Sequence, residues 1–192
     1  MGTADEIRSL RDRVMAELNL AHDYYTDTKT AWRIVHRVVG SGYAGTSRNR
    51  ATGTVTTLAE IAAKSRGYVA EQLIEATFQQ FISVLETFVF DILRIWLMTY
   101  PASFSSNKKV DFADVLNAPD RDAIIRLVVY NEVKDLFYKK PKDWFEFLES
   151  KVKLGCPLAG EIDQFAEAKA SRDVLVHGRG IAKGSRKNKL NN

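Results

Sequence analysis

The chain is predicted to be all-α, a bundle of about five helices, on three observations. Apolar residues recur at spacings of three and four along most of its 192 residues. No stretch alternates apolar and polar residues in the manner of a half-buried strand. Glycines, prolines and polar clusters fall between the periodic stretches and cut them into pieces of helical length.

Thr3-Ala4-Asp5-Glu6 has capping-box spacing, in which a hydroxyl and a carboxylate satisfy orphan N–H groups of a starting helix. Ile7, Leu10, Val14, Leu18, Ala21, Tyr25, Trp32, Val35 and Val39 follow at helical spacing and predict one long helix over 4–39. Residues 40–56 hold four glycines, Arg48, Arg50 and no acid, and read as a Gly-rich loop. A second capping box, Thr57-Leu58-Ala59-Glu60, opens a helix that Gly67 is expected to bend. Ile74, Phe78, Phe81, Ile82, Leu85, Phe88, Val89, Ile92 and Trp96 then make an apolar stripe wide enough for the centre of a bundle, ending before Pro101. The segment 102–118 is polar and irregular, with a short turn at 112–116. Pro119 is read as a first-turn residue, and Ile124 to Tyr138 as a helix with a β-branched interior. Pro141 and Asp143 start the next, which carries Trp144, Phe145, Leu148 and Val152 on one side and stops at Gly155 and Pro157. The last runs from Leu158 to Val176 and ends at Gly178 and Gly180. Residues 1–182 are thus expected to form a single all-α domain, and 183–192 a flexible basic tail.

The net charge of +4 is a property of that tail. Lys183, Arg186, Lys187 and Lys189 lie in it with no acid, leaving 24 basic and 24 acidic residues in the rest. Charge alone therefore marks no nucleic-acid surface on residues 1–182. Cys156 is the sole cysteine, so neither an intrachain disulfide nor a thiolate zinc cluster can form, and a reducing, cytoplasmic setting is expected. Glu86, Asp91 and Arg94 interrupt the apolar stretch 81–99, so no membrane span is expected there. The N-terminal residues lack the apolar stretch of a signal peptide, and Glu6 stands where a myristoylation signal needs Ser or Thr.

Gly40-Ser41-Gly42-Tyr43-Ala44-Gly45 spells the dinucleotide-binding G-x-G-x-x-G string. That string works after a strand and at the start of a helix, where helical N–H groups face a pyrophosphate; here a helix precedes it, and the match is read as fortuitous. His22, His36 and His177 share no metal-ligand spacing, so no metal and no cofactor are expected. His22 and His36 read as partly solvated helix residues, and Cys156 as a small packing residue.

Arg172-Asp173-Val174-Leu175-Val176-His177 combines more chemistry. On a helix Asp173 and His177 are four apart, so the carboxylate can orient the imidazole and stabilise its cation. Arg172 adds a planar fork suited to phosphate oxygens. The same residues also fit a plain helix C-terminus, with His177 at the negative end of the dipole and Arg172 paired to a neighbour such as Glu167.

The string resembles the motif of HEPN domains, an all-α family marked by an Arg, four to six intervening residues and a His. Arg172-x4-His177 fits the short form, Asp173 fits the polar residue that the family's ribonucleases favour after the Arg, and Gly178-Arg179-Gly180-Ile181 continues the similarity. Phe78 to Pro101, with Leu85-Glu86 and Asp91-Ile92-Leu93-Arg94, is similar to the family's long central helix, so the resemblance covers about residues 70–182. Family domains commonly continue into further structure where this chain begins its basic tail. The resemblance implies a metal-independent endoribonuclease, a toxin or antiphage defence effector, acting as a homodimer with a composite active site. It implies His177 as general acid or base, Arg172 as stabiliser of the phosphorane and Asp173 as holder of the imidazole. Attack of the ribose 2′-OH would give a 2′,3′-cyclic phosphate. Glu86 is an accessory candidate, although a solvent-facing helix glutamate is the more ordinary expectation. RNA attraction would fall to Arg179, Arg48, Arg50, Lys183, Arg186 and Lys187, and an antitoxin or defence-system protein is the implied partner. Two further readings stand beside it: a non-catalytic HEPN-like module binding RNA, a nucleotide or a protein, and a scaffold bundle with a chance motif.

Overall fold

The computed structural model describes residues 2–41, 48–104, 109–153, 155 and 157–177. These form α1 (Thr3–Gly40), α2 (Leu58–Gly67), a π-helical turn (Tyr68–Gln72), α3 (Leu73–Thr99), a 3-10 turn (Pro101–Ser103), α4 (Phe112–Asn117), α5 (Arg121–Phe137), α6 (Pro141–Val152) and α7 (Ala159–His177). The all-α class is as predicted. Among the described residues the sole β feature is an isolated antiparallel bridge between Arg48 and Val55, and no helix is long and apolar enough to cross a membrane.

The ends of these helices follow local chemistry, in two places by a different route from the expected one. Thr3 does not cap α1. The Gly2 carbonyl instead accepts the N–H groups of Asp5 (2.9 Å) and Glu6 (3.1 Å), the Asp5 carboxylate accepts from Gly2 N (3.2 Å), and the Thr3 hydroxyl donates to Thr99 (3.2 Å). The Thr57–Glu60 box does form: Glu60 N–H donates to the Thr57 hydroxyl (3.3 Å) and Thr57 N–H to the Glu60 carboxylate (2.8 Å). The Thr57 hydroxyl in turn donates to the same carboxylate (3.1 Å), and the Thr57 backbone N–H first, then this hydroxyl, hold the Glu60 carboxyl below its ordinary value. Gly67 keeps regular helical angles, and the widened π turn begins at the next residue, so α2, the π turn and α3 run on without interruption. Pro101 ends α3 because it has no N–H to continue the ladder. Asp120, not Pro119, sets the start of α5: its carboxylate accepts from Ala123 N at 2.7 Å. Pro141 takes the first-turn position of α6, Asp143 accepts from Lys140 N (3.1 Å), and Lys153 ends the helix with a left-handed φ of 55°.

The chain divides into two compact units. The first joins residues up to Val14 to those from Ile82 onward. Its core combines Leu10 and Val14 of α1, Ile82, Val89, Leu93 and Leu97 of α3, Val129, Val133 and Leu136 of α5, and Trp144 and Leu148 of α6. Trp144 is fully buried and meets the Phe90 ring edge-on at 4.8 Å, with Phe165 of α7 at 6.3 Å. α6 packs on both α5 and α7. Outside the core Asp91 binds Arg94 (2.6 Å) and Arg13 (3.3 Å), tying α3 to α1.

The second unit spans Met15–Phe81. The inner face of α1 there carries buried Ala21 and half-buried Tyr25, Trp32 and Val35. Trp32 packs on Tyr68 (5.6 Å), and His36 Nε2 meets the buried Ser65 hydroxyl at 2.7 Å. His22 is exposed, 3.7 Å from Asp23.

Candidate functional site

The proposed motif lies on the last two turns of α7, and its residues have separate fates. Asp173 is not engaged with His177. The helical spacing puts Lys169 four residues before Asp173, and the Lys169 ammonium takes the carboxylate at 2.8 Å. Arg172 Nη1 approaches the same carboxylate at 3.3 Å. His177 is exposed at the end of α7 and has no hydrogen bond or ion pair among the described residues.

Arg172 does not pair with Glu167. It crosses to α3, where its Nη2 donates to the Glu86 carboxylate. Glu86 is not the solvent-facing glutamate expected. It is 6% exposed, because it shares a helical stripe with buried Ile82, Val89 and Leu93, at spacings of four, three and four. Lys169 reaches the other Glu86 oxygen at 3.3 Å and sits 5.7 Å over the Trp144 ring. The result is a ring of two cations and two carboxylates, neutral in sum, that fastens α7 to α3. A buried carboxylate needs such partners, since unpaired it would keep its whole desolvation cost. Arg172 suits the position because its planar fork serves two acceptors at once. Its Nε, also buried, has no hydrogen-bond partner among the described residues.

Lys169 was absent from the expected site, although its i, i+3 and i, i+4 relation to Arg172 and Asp173 was there to be read. On the other side of Glu86 a groove of about 450 Å³ opens between α3 and α5, lined also by Asp91, Arg94, Tyr130, Lys134 and Tyr138.

The remaining candidates fall outside this unit or outside the described residues. Arg48 and Arg50 are exposed in the Met15–Phe81 unit, in a tight turn closed by Asn49 N to Thr54 O (2.8 Å). Arg179, Lys183, Arg186 and Lys187 lie outside the described residues, as do Gly42 to Gly45 of the glycine string, Cys156, Gly178, Gly180 and Ile181. Among the described residues no three His, Cys, Asp or Glu side chains come together as a metal site. Comparison of the chain with protein-family models, with curated proteins and with solved structures found no match.

Proposed function

We propose that the protein is an endoribonuclease of the HEPN type, and the observation that carries this is an exposed His177 at the end of α7, five residues after Arg172 on the same helix. His177 is exposed and has no hydrogen bond or ion pair among the described residues, so its imidazole is open to a bound substrate. In RNA cleavage the 2′-OH attacks the adjacent phosphorus; a base removes its proton, an acid protonates the leaving 5′-oxygen, and cations offset charge on the phosphorane. His177 fills the proton-transfer role, one copy supplying base and a second supplying acid in a homodimer. Arg172 supplies the cation once a phosphate takes the place of a carboxylate at its fork. Lys169, three residues away on the same helix, adds a second positive charge at that locus. Arg48, Arg50, Arg179 and the 183–192 cations supply the attraction for RNA. The setting is cytoplasmic, as toxin or antiphage effector, with an antitoxin or defence-system protein as partner.

A second reading is favoured by the ring itself. Both Nη atoms of Arg172 are committed to carboxylates, and its side chain is 16% exposed. An arginine so held is a structural rivet, which fits a non-catalytic module that binds RNA, a nucleotide or a protein. Incubating wild type, Arg172→Ala and His177→Ala with assorted RNAs in EDTA separates the two. The first reading expects wild-type turnover that both substitutions abolish. Tight binding with no turnover by any of the three proteins would replace it with the second.

A further inference from the structure

The outer face of α1 carries a seam that is exposed among the described residues. Leu20, Tyr24, Asp27, Ala31, Ile34 and Val38 follow one another at alternating spacings of four and three, the a/d pattern of a coiled coil. All six are exposed, including Leu20 at 68% and Ile34 at 56%. The opposite face of the helix is the one packed on Tyr68 and Ser65. The seam runs about 27 Å at 1.5 Å per residue.

The charges beside it are sorted by sign. Exposed Glu17, Asp23 and Asp27 lie in the first half, exposed Arg33 and Arg37 in the second. Neither arginine has an ion-pair partner among the described residues. A parallel pairing of two such helices would stack Asp27 on Asp27 and acidic half on acidic half, which like-charge repulsion opposes. An antiparallel pairing separates the two Asp27 side chains and sets acidic half against basic half.

We propose that this seam is a self-association surface on which a second copy of the chain docks α1 antiparallel to the first. Leu20 of each copy then layers with Val38 of the other, Tyr24 with Ile34, and Asp27 with the small Ala31. Asp23 and Arg37 are flanking positions of the same class, the one preceding an a residue, and an antiparallel pair brings them opposite each other twice, once at each end. The occupant is a second copy because the complement to this apolar and charge pattern is the pattern itself, reversed. A seam of two helices this long lies at the lower end of specific interfaces, near about 1,200 Å² in total, so association in the micromolar range is expected. The proposal uses none of the residues of the ribonuclease reading, although that reading also needs a second copy of the chain.

Sedimentation of the full chain and its charge variants tests it. Wild type is expected to move with concentration from 21.7 kDa towards twice that mass. Asp23→Arg and Arg37→Asp should each dissociate the pair by roughly tenfold or more, because each homodimer then opposes like charges. An equimolar mixture of the two variants should associate again, since the mixed dimer restores both opposite-charge contacts, and the double variant in one chain should pair with itself. A wild type that stays monomeric throughout overturns the proposal. So do single variants that associate as wild type does, or a mixture no more associated than its components. A monomeric wild type would count against the homodimer of the ribonuclease reading as well, so RNA cleavage by the charge variants is read alongside: variants that associate as wild type does overturn the seam alone, whether or not they cleave RNA.

Discussion

Replacing Glu86 by Gln keeps the shape of the side chain and one carbonyl acceptor but removes its charge. Arg172 and Lys169 are then left to share Asp173. Breaking a buried ion pair from one side costs about 3–5 kcal/mol when the remaining charge has no other partner. Two features reduce that figure here. Asp173 stays within 2.8 Å of Lys169 and 3.3 Å of Arg172, and the two cationic side chains are 17% and 16% exposed, so water screens part of the loss. A loss of about 2–3 kcal/mol is therefore expected. With a urea slope of about 1–3 kcal/mol per molar, the unfolding midpoint falls by roughly 0.7–3 M at unchanged slope. The pairing itself is isolated by a double-mutant cycle with Arg172→Met, where a coupling of at least about 1 kcal/mol is expected. A Glu86→Gln loss below about 0.5 kcal/mol, or additivity within that margin, would refute the view that this ring fastens α7 to α3.

Three other perturbations test the account of the fold. Trp144→Ala removes a fully buried ring from the Phe90–Phe165 cluster and should cost about 3–5 kcal/mol in thermal or urea unfolding. Asp120→Ala removes the cap on Ala123 N and should cost about 1 kcal/mol, with Asp120→Asn retaining most of it. Glu60 has a lowered folded pKa, so the stability it contributes is present above its ordinary value of 4.5 and is lost as pH falls through the lower folded value. Wild type should thus exceed Glu60→Gln in melting temperature at neutral pH, and the gap should close in acid.

Much of the fold was legible because helix periodicity is a local signal. The long first helix, expected over 4–39, spans Thr3–Gly40, and the last, expected to end at Val176, reaches His177. The second capping box formed as read, since both its partners lie within four residues. The first did not, although its residue types are the same, because Thr3 found Thr99 across the fold. That is a tertiary choice with no local trace. The candidate site shows the same division. The helical placement of Arg172, Asp173 and His177 was readable, but the choice of partner was not. Asp173 had a basic residue four positions away on either side, and Lys169 took it instead of His177, while Arg172 went to a residue eighty-six positions away. Glu86 itself left one usable sign: it falls in register with Ile82, Val89 and Leu93, on the side of α3 that a core must cover. A carboxylate in such a stripe calls for a cation on the facing helix, and Lys169 with Arg172 answers it.

The ribonuclease proposal is tested most directly with a DNA strand that holds one ribonucleotide, incubated with the protein in EDTA. Cleavage is expected solely on the 3′ side of that ribonucleotide, with a product ending in 2′,3′-cyclic phosphate and no cleavage by His177→Ala. Cutting of the all-DNA strand, a 3′-hydroxyl product, equal activity in His177→Ala, or no turnover by wild type on this strand or on RNA would contradict it.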